Sequence, residues 1–439
     1  NEKRNETKDQ VTSTFLGQSL YVFILILLFT LYMALFRKDY FEKPRSISFL
    51  YALFIIFPTI TSLMMKYNIL SVYIVPFAMA AVFVRVFMDS RTAFNAYVIM
   101  ILLSAVAVRY QYEFIVVQLV AGLIAIFSLR ELSKRSQIFL TALLVTLGSA
   151  AVYLALQLIE TDDFSKLDGT MYYHIGINGF SLLFTYPLML IIEKLFGFIS
   201  TVTMFELSNT NNELLRRLSE VAPGTFQHSI TVGNLGVEIA SKIHAKGQLV
   251  RTGALYHDIG KMLNAPFFTE NNQGGRNPHE DLSYKESAAI IIKHVTEGVA
   301  LAQKYKLPPQ VIDFIRTHHG RGYTKYFYTM YCNEHPGEIV DRAPFSYPGP
   351  NPFSRETGIL MLADAVEASS RSLKEYTVES ITALVERIVD GIVAEKLLDN
   401  TPLTFREITT IKETFVSKLL TMNHSRIAYP KLNREEATA

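Results

Sequence analysis

The chain has one cysteine, Cys332, in 439 residues, so no intrachain disulfide can hold it together. A single thiol fits a reducing compartment for the second half of the sequence. Neither sign of charge dominates: 42 Lys and Arg against 40 Asp and Glu leave a net charge of +2. That balance gives no reason to expect a nucleic-acid polymer as partner. The opening NEKRNETKDQ is polar and does not have the form of a signal peptide. Beyond Pro223 there are no convincing alternating runs of the kind that form half-buried strands. Histidine is scarce as well, with ten in all.

Apolar sequence, in contrast, is abundant. Half of the residues are hydrophobic and mean hydropathy is positive, but the average conceals a division near Ser200. Before it lie long apolar runs with short polar breaks; after Glu206 the composition is that of an ordinary globular protein. A spanning helix needs roughly 20 apolar residues. Seven stretches qualify or nearly do: Phe15–Phe36, Ile47–Met65, Leu70–Val84, Thr92–Val108, Phe114–Leu129, Ile138–Ile159 and Tyr172–Ile199. The third and fifth are short.

Lys and Arg in the connecting loops give an orientation. With the N-terminus outside, the inner loops hold Arg37, Lys38, Lys43, Arg45, Arg85, Arg91, Arg130, Lys134 and Arg135. The outer loops hold Lys66, Arg109 and Lys166, the last among Glu160, Asp162, Asp163 and Asp168. An odd number of spans then places everything after Ile199 in the cytosol. A transport path would need ionisable groups or broken helices at mid-membrane. Pro58, Pro76 and Pro187 could break helices, but Glu113, Glu193 and His174 sit near span ends, which favours an anchor or sensor.

Met204–Val221 carries Leu207, Leu214, Leu215, Leu218 and Val221 at helical spacing. It reads as one amphipathic helix continuing from the last span, able either to pair with a second copy in a homodimer or to pack on its own domain. Further helices are expected over Thr225–Ala245, Gln248–Met262, Ser283–Tyr305, Pro309–His319, Thr357–Tyr376, Val378–Leu398 and Thr404–Leu420. Ser283 and Glu286 form a capping-box pattern.

Five of the ten histidines fall at expected helix positions in this block: His228, His257, His294, His318 and His319. Two carboxylates lie in apolar helical surroundings, Asp258 beside His257 and Asp364 within ILMLADAVEA. A buried carboxylate is costly unless it is paired or bound to metal. Taken singly, each residue has an ordinary explanation, and His244, His279, His335 and His424 receive it. The set of seven does not. Imidazole with carboxylate suits Fe, Mn or Zn, and seven ligands exceed what one tetrahedral ion uses. Two divalent transition-metal ions sharing a carboxylate fit the count.

His228, then His257-Asp258, then Asp364 resembles the H…HD…D pattern of the HD-domain phosphohydrolases. His294 and the His318-His319 pair resemble the subset with a second metal. VAPGTFQHS, ALYHDIGK, NPHEDLS, THHG and YPGPNPFSRETGILMLADAVEASSRSL resemble the seven-transmembrane HD family of the PgpH type over nearly the whole chain. This resemblance implies a bacterial inner-membrane enzyme that hydrolyses cyclic di-AMP to pApA, with an extracellular sensing domain ahead of the spans. The polar start at Asn1 fits that implication.

The expected fold is all-α: a seven-helix transmembrane bundle followed by a cytosolic helical HD domain. Residues 1–13 would be a polar remnant, 14–200 the membrane region, 201–222 the connector, 223–425 the HD domain and 426–439 a polar tail. His228, His257 and Asp364 would hold one ion, and His294, His318 and His319 the other, with Fe or Mn the expected metals. Asp258 would bridge them as the central catalytic group. Lys261, one turn after His257, is a candidate catalytic, phosphate-neutralising group. Arg321, Arg371 and Tyr323 are further candidates for substrate contact. Tyr323–Phe353 reads as a long aromatic loop whose rings could stack on adenine. The alternatives are a cyclic di-GMP phosphodiesterase, although the GYP signature is incomplete at Thr324, and a membrane receptor that binds a nucleotide without cleaving it.

Overall fold

The structure, a computed structural model, describes residues 2–129, 136–161, 169–272, 274 and 276–422. Arg130, Lys134, Arg135, Asp162, Asp163, Lys166, Asp168, His424 and the tail 426–439 lie outside the described residues. The helices are α1 Glu2–Phe36, α2 Lys38–Phe41, α3 Pro44–Tyr67, α4 Phe77–Phe87, α5 Ser90–Ala105, α6 Gln111–Ser128, α7 Ser136–Thr161, α8 Thr170–Ser181, α9 Thr185–Phe196 and α10 Thr201–Leu207. They continue with α11 Glu213–Val221, α12 Pro223–Lys242, α13 Gly247–Tyr256, α14 Tyr284–Lys304, α15 Pro309–Thr317, α16 Lys325–Glu334, α17 Arg355–Ser370, α18 Val378–Ala394 and α19 Phe405–Met422. No strand forms among the described residues; there is one isolated bridge, Tyr323 to Ser346. The chain divides into two compact units, residues 1–203 and 204–439.

In the first unit, five helical stretches are long and apolar enough to cross a membrane: Thr12–Phe36, Pro44–Tyr67, Gln111–Ser128, Ser136–Glu160 and Thr170–Phe196. Val72–Phe87 and Ser90–Ala105 are apolar but shorter. The third expected stretch is short because it opens with a 3-10 turn, Val72–Ile74, and an extended Val75. Pro76 follows, and a residue before proline is disfavoured in α geometry. The carbonyls freed at this break are met by Asn178, whose Nδ2 donates to Tyr73 and Val75 at 2.9 and 2.7 Å. The seventh stretch is two helices, α8 and α9, joined by a 3-10 turn at Leu182–Phe184. Glu113 accepts a hydrogen bond from the Tyr73 hydroxyl at 2.6 Å. Glu193 is buried and accepts from Ser200 N and Thr203 Oγ1 at 2.7 and 2.8 Å.

The connector differs from the single helix expected. The chain leaves α9 at Gly197, with φ +68°, and the amphipathic stretch is split into α10 and α11. Asn side chains cause the split by competing for backbone groups. Asn209 Oδ1 accepts from Asn211 N, and Asn212 Oδ1 caps α11 through Leu214 N. Leu214, Leu215 and Leu218 are buried against their own unit, while Val221 at the end of α11 is exposed. Two hydrogen bonds tie α10 to α13: Thr252 Oγ1 donates to the Met204 carbonyl (3.2 Å) and Tyr256 Oη to the Leu207 carbonyl (2.8 Å).

In the second unit the core is built from apolar faces of α12, α17, α18 and α19, including Val232, Ile239, Leu362, Val366, Val385 and Phe415. The helix expected over Gln248–Met262 ends at Tyr256 and tightens into a 3-10 segment, Ile259–Phe267. This segment crosses α14 at very close range. A Cβ on Gly260 would lie 1.9 Å from the His294 carbonyl oxygen, a distance only glycine permits. The expected aromatic loop is not irregular throughout: it folds first into α16 and later into a short turn at Ala343–Phe345.

Candidate metal centre

Two of the five singled-out histidines lie within helices, His228 on α12 and His294 on α14. The other three do not hold the helical positions expected of them. His257 and His318 cap the C-terminal ends of α13 and α15, and His319 follows, before Gly320 turns the chain at φ +53°. A helix end frees its last carbonyls, and these histidines use them. His257 Nδ1–H donates to the Ala254 carbonyl at 2.7 Å, and His318 Nδ1–H to the Ile315 carbonyl at 2.8 Å. His294 does the same within α14, donating to Ile291 at 2.6 Å. His228 Nδ1–H donates to the Glu367 carboxylate at 2.5 Å.

A carbonyl or carboxylate oxygen only accepts, so the proton in all four neutral rings is on Nδ1 and the lone pair is on Nε2. The four Nε2 atoms converge. His294 Nε2 and His318 Nε2 are 3.1 Å apart, and His228 Nε2 lies 3.0 Å from Asp364 Oδ1. Lone pairs brought this close repel unless something positive lies between them. His257 Nε2 and Asp258 Oδ1 are buried with no hydrogen-bond partner. Such orphaned atoms are costly in a native fold unless a ligand satisfies them.

The ligand atoms form two trios, His228–His257–Asp364 and His294–His318–His319, with the atoms of each trio within 4.8 Å of one another. Asp258 stands between them with one oxygen toward each. Oδ2 lies 3.2 Å from His257 Nε2 and 3.7 Å from His228 Nε2. Oδ1 lies 3.3 Å from His294 Nε2 and 3.5 Å from His318 Nε2. Asp364 Oδ2 is 3.8 Å from His319 Nδ1. The donor set, its burial and its inward lone pairs fit cations of the imidazole-preferring type.

The electrostatics agree. Burial opposes ionisation of Asp258, but His257 and Lys261 beside it outweigh burial and hold its pKa well below the ordinary value. Asp364 is likewise held down, burial being overcome by His228 and His257. Burial disfavours the charged form of His257, yet Asp258 and Asp364 lift its pKa to about 10. Burial lowers the pKa of His318, and burial with the His318 neighbour holds that of His319 well below its usual value.

The remaining sequence candidates are placed less uniformly. Lys261 Nζ lies 2.8 Å from both Asp258 Oδ2 and Glu270 Oε1, so its charge is shared between two carboxylates. Arg371 lies at the rim with Nε and Nη2 donating to Glu367 Oε1 at 3.0 and 2.6 Å. The face of the Tyr323 ring is occupied by the Arg342 guanidinium, 3.4 Å from the ring centroid. Arg321 is exposed and packs along Gly349, away from the cavities beside the centre. Those cavities measure about 1160 and 1010 Å³. Phe268, His279 and Phe327 line the first; His228, Lys261, Asp364 and Arg371 line the second. Thr269, Glu270, His319, Tyr323, Lys325 and Tyr347 line both. The Tyr347 ring is stacked on His319 at 4.2 Å.

Glu270 and Glu367 join the site without having stood out in the sequence. Glu367 had a usable signal: it follows Asp364 by three residues, hence on the same helix face, in an equally apolar setting. Glu270 had none, because only the 3-10 segment after Asp258 brings it back to Lys261.

Comparison with known proteins follows the same division of the chain. The family model described as 7TM receptor with intracellular HD hydrolase matches residues 12–200, and that of the HD domain matches residues 225–369. The cyclic-di-AMP phosphodiesterase PgpH of Bacillus subtilis is 34% identical over 90% of this chain and 58% of its own length. The cyclic-di-AMP phosphodiesterase PgpH of Listeria monocytogenes is 32% identical over 82% of this chain and 50% of its own. The chain thus spans little more than half the length of these relatives. The solved L. monocytogenes PgpH HD domain in complex with cyclic-di-AMP aligns at 36% identity with a TM-score of 0.47, covering 49% of this chain and 99% of that one. With both family models matched in order, and with relatives above 30% identity across most of its residues, the chain belongs to the seven-transmembrane HD-hydrolase family.

Proposed function

We propose that this chain is a membrane-bound, metal-dependent phosphodiesterase that hydrolyses cyclic di-AMP to pApA. The observation that carries the reading is the convergence of two ligand trios, all but His319 buried, on the two oxygens of one carboxylate, Asp258. In this reading His228, His257 and Asp364 would hold one Fe or Mn ion, His294, His318 and His319 would hold the other, and Asp258 would serve both. Such ions would supply Lewis acidity, lowering the pKa of a bound water and offsetting charge on the phosphate.

The chain's own residues do the rest. The Nδ1 hydrogen bonds fix the rings before any ligand arrives, so little reorganisation is needed. Lys261 holds Asp258 ionised and in place. The two cavities give room for the two nucleoside halves on either side of the scissile phosphate, with Tyr347 and His319 at their junction. Rings along the first cavity, Tyr326 and Phe327 among them, offer faces for a base. Adenine as the base rests on the names of the relatives. The excess of Lys and Arg in one set of loops supports an inner-membrane location with the N-terminus outside and the HD unit in the cytosol.

The test is turnover by the full chain, purified in detergent with Mn²⁺ and offered cyclic di-AMP and cyclic di-GMP separately. Cyclic di-AMP should be linearised faster, and Asp258→Ala should abolish both turnover and metal uptake. Full metal content with retained turnover in that variant would refute the assignment. Faster cleavage of the guanine substrate would refute the base preference.

A further inference from the structure

We infer that Glu367 is a positioning residue for the metal centre, holding the His228 ring so that its Nε2 lone pair faces Asp364 and Asp258. The inference rests on the metal reading above. Of the four rings locked by Nδ1, three are anchored by a backbone carbonyl three residues upstream. His228 alone among them is anchored by a side chain, the Glu367 carboxylate, through Oε2 at 2.5 Å. Glu367 is 5% exposed, and a carboxylate this deeply buried needs compensation. It has that from two sides. The imidazole N–H engages Oε2, and Arg371 engages Oε1 through Nε and Nη2. One turn of α17 therefore carries both a ligand, Asp364, and the support of the ligand opposite it. The arrangement has the form of the carboxylate–histidine pairs that orient metal-bound imidazoles, whose loss typically costs 10- to 100-fold in metal affinity.

The consequence is site-selective. Removing Glu367 frees the His228 ring to rotate or to change tautomer. The trio containing His228 should then lose affinity, while His294 and His318 keep their carbonyl anchors and His319 its stacking on Tyr347. Arg371 would lose its fixed position at the cavity rim in the same step.

The full chain in detergent, stripped with chelator, is titrated with Mn²⁺ by calorimetry, and bound Mn is measured after dialysis. Thermal unfolding without metal reports the fold. Wild type should take up two ions. Glu367→Ala should keep one at wild-type affinity and bind the other about 10- to 100-fold more weakly. Glu367→Gln retains an acceptor oxygen for the imidazole and should lose less. If the alanine variant does not fold, the glutamine variant decides alone, by weakening one site only. Wild-type affinity at both sites in the folded variants overturns the inference and leaves the metal reading intact. Equal weakening at both sites, with a lower metal-free melting temperature, also overturns it, since that marks a general structural role. A wild-type chain that binds no Mn²⁺ overturns both.

Discussion

A methyl group on Gly260 should separate the two halves of the centre without touching any ligand side chain. The Cβ of Gly260→Ala would stand 1.9 Å from the His294 carbonyl oxygen and 2.7 Å from Gly298 N. Both are backbone atoms of α14, so no side chain can swing aside. Restoring an ordinary contact needs a shift of about 1 Å or more between the 3-10 segment and α14. That segment begins next to Asp258, and α14 carries His294. The 3.3 Å approach of His294 Nε2 to Asp258 Oδ1 should open by a comparable amount. Metal–ligand distances tolerate about 0.2 Å, so uptake at the His294 trio should fail first. Overpacking of this kind costs about 1–3 kcal/mol of stability, and a displacement near 1 Å costs about 100-fold in turnover. The assays are metal-free thermal unfolding, bound Mn after dialysis and cyclic di-AMP turnover. Gly247→Ala is the control, because its added methyl meets nothing closer than 3.7 Å; it should be neutral or slightly stabilising. A Gly260→Ala protein with two tightly bound ions and wild-type turnover would show that this backbone crossing does not set the ligand geometry.

Three further outcomes follow. Mn²⁺ at 100 times its dissociation constant should add about 2.7 kcal/mol to the stability of the second unit; an unfolding temperature indifferent to chelator would count against bound metal. Lys261→Met leaves the buried Asp258 and the partly buried Glu270 without their shared cation and should cost about 3 kcal/mol, whereas Lys261→Met combined with Glu270→Gln should cost less; strict additivity in denaturant unfolding would break the proposed Asp258–Lys261–Glu270 linkage. Arg321→Ala, at an exposed residue away from both cavities, should change kcat/KM by less than about threefold, within the ±0.5 kcal/mol typical of surface substitutions; a tenfold loss would mean that the arginine reaches substrate.

What could be read in advance depended on whether the signal was local. Rarity and apolar context were enough to single out His228, Asp258, Asp364 and their partners, because ionisable side chains in such settings need a reason to be there. The capping box at Ser283 was also legible, since its two residues recognise each other across one turn; the structure has both of its hydrogen bonds. Helix ends were harder. The apolar period runs on through Ile259 and Met262, yet α13 stops at Tyr256 because the close crossing at Gly260 demands a tighter turn, a tertiary cause invisible to periodicity. The break at Ser208–Asn212 was overlooked for the opposite reason. Its asparagines carried the warning, but the leucines on either side kept helical spacing. The role of Arg371 turned on Glu367, four residues earlier on the same helix, an i,i+4 pairing that was legible locally.

The three backbone anchors have a consequence for transplantation. His257, His294 and His318 take their orientation from carbonyls in their own helices, so those donors would keep their aim if these helical segments were copied onto an unrelated scaffold. His228 would not: it would need Glu367 grafted with it, and Arg371 behind that. A minimal engineered copy of the centre is therefore cheapest on the side of the histidine trio.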